Sequence, residues 1–581
     1  MTGTVYQPES PVSPETKAEL ISHLWNSWNT QRDGWKQEKR EQRNFVFATD
    51  TSQTSVGGLP WKNSTTLPKL TQIRDNLHAN YLSALFPNDN WLKWEAYSAD
   101  GAVAEKREAI TAYMSNKTRE GNLQGVASQL LYDYIDYGNA FATVDFVREV
   151  KEDRETGEEI PQYIGPRAKR IHPFDIVFNP LADSFEKSPK IVRKLMNLGE
   201  LKRDAKDQPG NAALQSAVAK MEELRRSAAS TKKEDADKWN DISMDGFGSY
   251  DEYLRSGYVE ILTFEGDLFN TDTMELESNR NIVIADRMVV IEDDIMPEWL
   301  GSTIVHVGWR SRPDNLWAMG PLDNLVGMQY RIDHLENIKA DVFDLIAYPP
   351  LKITGEVEDF SWGPGEEIHV DENGNVEMLA PSTAALNADT QIALLEQRME
   401  EYAGAPKQAM GIRTPGEKTA FEVQQLQNAA GRIFQNKINS FEINLMEPLL
   451  NSMLEVSRRN MDLVDTVRVM DDDLGVIQFM NISKEDITAT GKLRPIGSRH
   501  FAAQAQLIQN LTQLFNSSVG QLVLPNVSTK ELTKLIEDSL QLQRFDLFSD
   551  NAQLFEQAER QSLASQLQEQ SMVEQSQPAV V

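Results

Sequence analysis

Three stretches of this chain hold residue types in spacings that chemistry uses. Gly411 to Thr419 reads G-I-R-T-P-G-E-K-T, close to the G-x-x-x-x-G-K-[ST] loop whose backbone N–H groups and lysine cradle nucleotide phosphates. Here Glu417 stands between the second glycine and Lys418. A carboxylate therefore falls where phosphate oxygens would sit, and the residues before it read as helix, not strand, so the spacing argues against nucleotide binding. The second stretch is acidic. Glu356, Glu358, Asp359, Glu366, Glu367, Asp371, Glu372 and Glu377 face a single Lys352. Hard cations take oxygen ligands, but no spacing here matches a calcium loop, and the charges read as a solvated surface. The third, Asp471-Asp472-Asp473, has the composition of a magnesium site and the setting of a solvated turn. The seven histidines fall one per region, none at H-x-x-x-H or H-E-x-x-H spacing. Asp133 and Asp136, just before Gly138, read as surface or capping groups. There is no cysteine, which excludes disulfides, thiolate zinc sites and a cysteine nucleophile. No catalytic set is complete, and neither cofactor nor metal is expected.

The elements that carry these stretches say more. Leu322 to Ile346 has a 3.6-residue apolar pattern: Leu325, Met328, Ile332, Leu335, Val342 and Leu345 share one stripe. Arg331, His334, Asn337, Asp341 and Asp344 make a second, polar stripe. Tyr348-Pro349-Pro350 ends the helix, since proline lacks the donor and disfavours a helical residue before it. The spacing alone favours an amphipathic helix on an ordinary core. The acidic insert, 347 to about 385, follows. Asn373-Gly374 supplies the two positive-φ residues of a tight hairpin turn, so strands are expected in EEIHVDE and NVEMLAP. Leu386 to Ala403 returns as helix with Ile392, Leu395, Met399 and Tyr402 on one stripe. Residues 404–418 form a locally basic loop, where Lys407, Arg413 and Lys418 outweigh Glu417. Thr414, Pro415 and Glu417 then supply cap, first residue and capping box for a long helix, which Pro448 should kink.

At 581 residues the chain is long enough for several subdomains. Its formal net charge is −30, which disfavours a tight, broad grip on nucleic acid, because that affinity comes from Lys and Arg on phosphates. A conduit needs only weak contact, so the charge permits a DNA channel without requiring one. No apolar run approaches the ~18 residues of a membrane span, and no signal peptide opens the chain.

The remaining segments read as α+β, mainly α. Helices are expected over 14–48, with Leu20, Leu24, Trp25 and Trp28 buried, and over 70–86, 102–120 and 123–137. Trp91, Trp94 and Tyr97 mark a strand whose aromatics suit core packing better than base stacking. AFATVDFVREV, an exposed tip at KEDRETGEE, and PQYIGPRAKRIHPFDIVFNP read as a hairpin. Residues 184–256 read as helical and polar. YVEILTFEGDLF, NRNIVIADRMVVIED and STIVHVGWR read as strands of one sheet. Residues 468–497 read as extended structure around a helix capped by Ser483. From Ser498 the chain reads as helical, ending in a glutamine-rich, disordered tail.

Several motifs, in their order, resemble the portal proteins (head-to-tail connectors) of tailed bacteriophages, most of all the short-tailed type. They are YGNAFATVDF at 137–146, RIHPFDIVFNP at 170–180, PLDNLVGMQYRIDHLENIKADVF at 321–343 and GIRTPGEKTAFEV at 411–423. The resemblance covers most of the chain and rests on the order more than on any one motif. It implies a ring of twelve copies at one capsid vertex, through which double-stranded DNA is packaged and ejected. Residues 1–320 and 419–497 would be the wing, 321–346 and 386–403 the stem helices, 347–385 the clip, 404–418 the tunnel loop and 498–581 the crown. The clip, with Glu356, Glu358, Asp359, Glu366, Glu367, Asp371 and Glu372, would meet the terminase motor and later the tail adaptor. Lys407, Arg413 and Lys418 would line the tunnel; Arg331, His334, Asn337 and Asp341 are the stem candidates for facing it. Capsid and scaffolding proteins would be further partners, with the virion and, during assembly, the host cytoplasm as the location. No enzymatic activity is implied. A scaffold or tail adaptor would explain the polar helices but not the insert between paired ones, and an enzyme acting on DNA or nucleotides would need the catalytic clusters that are missing.

Overall fold

The computed structural model describes residues 14–47, 63, 65–86, 91–97, 101–152, 159–227, 248–270, 274–296, 303–355, 368–369, 374–379, 386–404, 433–461, 464–470, 477–488 and 491–495. Two units emerge: Met1–Phe86 with Thr118–Arg459, and Pro87–Lys117 with Asn460–Val581. The expected wing, 1–320 with 419–497, is thus shared between them. Helix and sheet are mixed, as an α+β chain requires.

In the first unit the expected opening helix is two, α1 (Pro14–Thr30) and α2 (Asp33–Phe47). The break falls at Arg32, whose buried guanidinium donates to the carbonyls of Pro173 and Ile176, 2.7 Å each. The buried side of α1 is Ala18, Ile21 and Trp25; Leu20, Leu24 and Trp28 are only partly covered. α3 (Lys69–Leu85) and α5 (Leu123–Asp136) follow their apolar patterns, while α4 (Gly101–Glu120) runs from the second unit into the first.

Strands β2 (Asn139–Glu152) and β3 (Glu159–Ile171) form the expected hairpin, with β9 (Ile304–Gly308) on the other edge of β2. β9 therefore does not join the sheet assigned to it from sequence. Gly138 starts β2 at φ +71, and a Cβ there would meet Gly320 N at 2.4 Å, so only glycine fits. Asn139 then clamps the strand: its amide donates to the carbonyls of Tyr137 and Ala318, and it accepts from Ala318 N at 3.0 Å.

The larger sheet is antiparallel, in the order β4 (Ile176–Phe178), β5 (Lys190–Asn197), β6 (Tyr258–Asn270), β7 (Glu275–Ala285), β8 (Val289–Ile295). β5 corrects the helical reading of 184–256: Ile191 is fully buried against α1. Only α6 (Leu198–Asp207), α7 (Ala212–Ser227) and α8 (Tyr250–Arg255) are described as helices there. Strand alternation divides the side chains. Leu262, Phe264, Ile282 and Ile284 pack under α1, and Val259, Ile261, Ala285 and Ile291 under α6 and α7. The segment read as one strand, NRNIVIADRMVVIED, is the β7–β8 hairpin, turning at Asp286 and Arg287 with φ of 49 and 61. Both turn residues are tied down. Asp286 accepts from the Tyr253 hydroxyl at 2.6 Å and pairs with Arg225 at 3.1 Å. Arg287 reaches Glu260 at 2.8 Å, and Arg193 meets the same carboxylate at 2.5 Å.

Asp133 and Asp136 are not free surface groups. Arg170 pairs with Asp133, at 2.5 Å, and burial pushes that carboxyl up to about 7. Arg74 takes Asp136 with two nitrogens, at 2.7 and 2.8 Å. Near the C-terminal end of this unit, helix 433–441 widens into a π turn, Glu442–Met446, before α11 (Glu447–Asn460). Pro448 lacks a donor, and the π turn absorbs the register change that it forces.

In the second unit β1 (Leu92–Ala96) pairs with β16 (Gly491–Pro495), and β14 (Val464–Met470) with β15 (Ile477–Ser483). Trp94 is fully buried and lies so close to Gly491 that a Cβ there would sit 2.4 Å from the ring, whereas Tyr97 is exposed. The helix expected after Ser483 is one turn, closed by Asp486, which accepts from Ser483 N and Oγ at 2.8 and 2.6 Å. The crown, 498–581, lies outside the described residues.

Candidate assembly interface

The block flagged by the sequence lies wholly in the first unit. α9 (Val326–Ala347) begins one turn later than expected. Residues 322–325 form a preceding turn, fixed where Leu325 N meets Leu322 O at 2.9 Å and where Asp323 accepts from Gly320 N. Its end is as expected: Tyr348 N closes on Asp344 O, and two prolines follow. At 1.5 Å per residue it is roughly 33 Å long. α10 (Ala388–Ala403) ends on Gly404 at φ +72, the left-handed cap that glycine adopts without strain. Lys339 bridges Glu336 at 2.6 Å and Asp389 at 2.8 Å, tying the C-terminal half of α9 to the first turn of α10. These two bonds hold the Lys339 ammonium above its ordinary value.

Between the helices, β12 (Leu351–Thr354) pairs antiparallel with β13 (Asn375–Met378), with Lys352 opposite Glu377. The strand over NVEM is where it was expected, but its described partner is 351–354. Ile368 and His369, from the expected EEIHVDE strand, lie outside any strand. Glu356, Glu358, Asp359, Glu366, Glu367, Asp371 and Glu372 lie outside the described residues, as do Lys407, Arg413 and Lys418 of the basic loop.

One face of α9 is occupied in a way that periodicity did not reveal. Gln329, Asp333, Asn337 and Asp341 stand four residues apart, and Asn63 with the extended residues 65–67 lies along them. Asp333 accepts from Leu67 N at 3.0 Å, and Gln329 donates to Leu67 O at 2.6 Å. Asn337 accepts from Thr65 N at 2.7 Å and donates to Thr65 O at 3.2 Å. Asp341 accepts from Asn63 N at 2.7 Å and from the Asn63 amide at 3.0 Å, and Asp344 takes the same amide at 2.8 Å. The fit is one of pitch. Four helical residues rise about 6.0 Å, and two extended residues about 6.6 Å, so alternate strap residues meet successive turns. Two residues further on, Lys69 pairs with Glu400 of α10 at 2.7 Å, both side chains buried.

This changes the four stem candidates. Asn337 is 2% exposed beneath the strap and Asp341 is half covered, so neither is an open lining group. Arg331 is exposed and His334 half-buried. Gln329 and Asp333, which the sequence reading passed over, are buried. Their signal was the strict four-residue repeat of amide and carboxylate.

The expected apolar stripe is buried at Leu325, Ile332, Leu335, Ile392 and Met399. Tyr402, expected on that stripe, is instead 58% exposed, and Ala403 takes the inner position. Phe343, Ile346, Tyr348, Ile353, Met378 and Leu394 are also exposed. Large apolar side chains thus stay exposed on this helix pair and its hairpin. Among the described residues no helix is long and apolar enough to cross a membrane. Comparison with models of known protein families gives no match, and no curated protein matches the sequence.

Proposed function

We propose that the chain is a portal-type subunit. Copies of it stand around an axis, α9 and α10 form the stem of each, and the β12–β13 hairpin with its acidic insert forms the clip. The observation that carries this reading is the exposure of Phe343, Ile346, Leu394 and Tyr402 on these two helices. A heterologous contact that repeats and closes makes a ring, and such a contact would cover these side chains. The motif order at 137–146, 170–180, 321–343 and 411–423 supports the same reading.

In this arrangement the ring sits at a capsid vertex of a tailed phage and conducts double-stranded DNA. The clip carboxylates meet the terminase motor and then the tail adaptor, and Lys407, Arg413 and Lys418 brush passing phosphates from the tunnel loop. Nothing in this role needs bond chemistry or a cofactor. Electron micrographs of the purified full chain test the reading: rings with a central hole are expected, and isolated single subunits would overturn it. For the loop, changing all three basic residues to glutamine should alter DNA retention in filled heads; unchanged retention removes that role.

A further inference from the structure

Two arginines on the helix pair have no counter-charge. Arg331 of α9 and Arg398 of α10 are both exposed, and among the described residues no carboxylate pairs with either. Arg74, Arg170, Arg193 and Arg225, by contrast, are each paired with a carboxylate.

Helix geometry puts Arg331 and Arg398 at one height. Lys339 meets Asp389 at 2.8 Å, so the two helices are level there. The other end of α10 is level with the first half of α9. Glu400 takes Lys69, two residues beyond the Leu67 that Gln329 and Asp333 hold. The helices therefore run antiparallel. From the Lys339–Asp389 bridge, Arg331 lies about 12 Å back along α9 and Arg398 about 13.5 Å on along α10, at 1.5 Å per residue. They also share a flank. Two residues turn a helix by about 200°. Arg331 stands two residues from both Gln329 and Asp333, and Arg398 two residues from Glu400. Each arginine therefore faces away from the side that the strap and Lys69 cover. On that open flank Leu394 and Tyr402, both exposed, stand one turn to either side of Arg398.

We infer that this flank, Arg331 with Leu394, Arg398 and Tyr402, takes carboxylates of a second copy of the chain. The inference rests on the ring reading and names one of the two faces of its repeating contact. Charge selects the occupant. Each copy has a formal net charge of −30, so two copies repel unless cations of one meet carboxylates of the other. A guanidinium can hold a carboxylate through two parallel N–H bonds, and arginine and tyrosine are the side chains that most often anchor contacts between proteins. Leu394 and Tyr402 argue against duplex DNA on this flank, because phosphates are met by polar and charged groups. Arg331, expected from the sequence to face the channel, is assigned instead to the contact between copies.

The test is Arg331→Glu combined with Arg398→Glu in the full chain, with assembly followed by particle mass across a concentration series. Both side chains are exposed, so the denaturant midpoint should match wild type. The concentration at half assembly should rise about 100-fold, since carboxylates would then face carboxylates. For wild type it should rise as salt goes from about 0.1 M to about 1 M, which needs no variant. A variant that assembles like wild type overturns the inference and leaves the ring in place. So does one that assembles normally but holds DNA less firmly in filled heads, which would turn the arginines to the channel. Wild-type assembly that ignores salt overturns it too. Wild-type chains that stay single would remove the ring and this contact together.

Discussion

The five-stranded sheet and the α9–α10 pair solve opposite problems. The sheet is covered on both faces, by α1 and by α6 with α7, and it buries charge: Glu260 lies between Arg193 and Arg287 with no exposure. The helix pair buries one narrow stripe, leaves large apolar side chains in solvent, and is fastened by polar groups to an extended strap. One region is complete within a single chain. The other leaves large apolar side chains exposed. On the proposed reading, stability and assembly fall to different elements, so mutations should separate them.

The largest effect is expected in the sheet. Glu260→Ala leaves two arginines buried without their carboxylate, and breaking such a group costs about 3–5 kcal/mol. Urea unfolding of the variant would measure it; a loss below about 1 kcal/mol would mean that the sheet is not the stable half.

A smaller effect comes with acid. Burial, aided by Arg170 beside it, lowers His172 to about 3, and burial aided by Lys190 lowers His306 to about 3. Both are neutral when folded and would charge when unfolded. Stability from each is present above 6.5 and is lost as pH falls towards 3. By about pH 5 the loss should reach about 2 kcal/mol per histidine, read as a falling denaturant midpoint. Burial lifts the Asp333 carboxyl, which accepts from Leu67 N, from 3.8 to about 6, so the strap on α9 should move the other way, gaining protection over the same acid range. Acid loosening of both regions together would erase the contrast between them.

The smallest effect on folding is expected at the helix pair. Phe343→Asp combined with Tyr402→Asp touches exposed side chains, so the stability of a single chain should change by about 0.5 kcal/mol or less. Self-association should nonetheless be lost, as light scattering on the eluted protein would register. A destabilised monomer that still assembles would show that these residues belong to the core.

Much of this contrast was legible in the sequence, and the failures have physical causes. The helices 69–85 and 123–136, the 139–171 hairpin, and the helix–insert–helix order follow from periodicity and from punctuation such as Gly138 and Pro349-Pro350. β5 was missed because KIVRKLMN holds three cations, and only the sheet on either side of it turns those residues into a strand. The β7–β8 turn was missed because Asp286-Arg287 carries no glycine or proline; Glu260, Tyr253 and Arg225 hold it from a distance. The strap was invisible because a helix's own spacing does not say what lies across it. The polar stripe was noticed, but two of its members were taken off the true ladder, Arg331 by two residues and His334 by one. The basic loop and the acidic insert were legible as composition only.

The most direct test is the mass of the purified full-length protein in solution, measured particle by particle. A closed ring of twelve 65.7 kDa chains predicts a dominant species of about 790 kDa, collapsing to single chains in the Phe343→Asp, Tyr402→Asp variant. A wild-type protein that stays at 65.7 kDa at every concentration, with Phe343 and Tyr402 freely accessible, would contradict it.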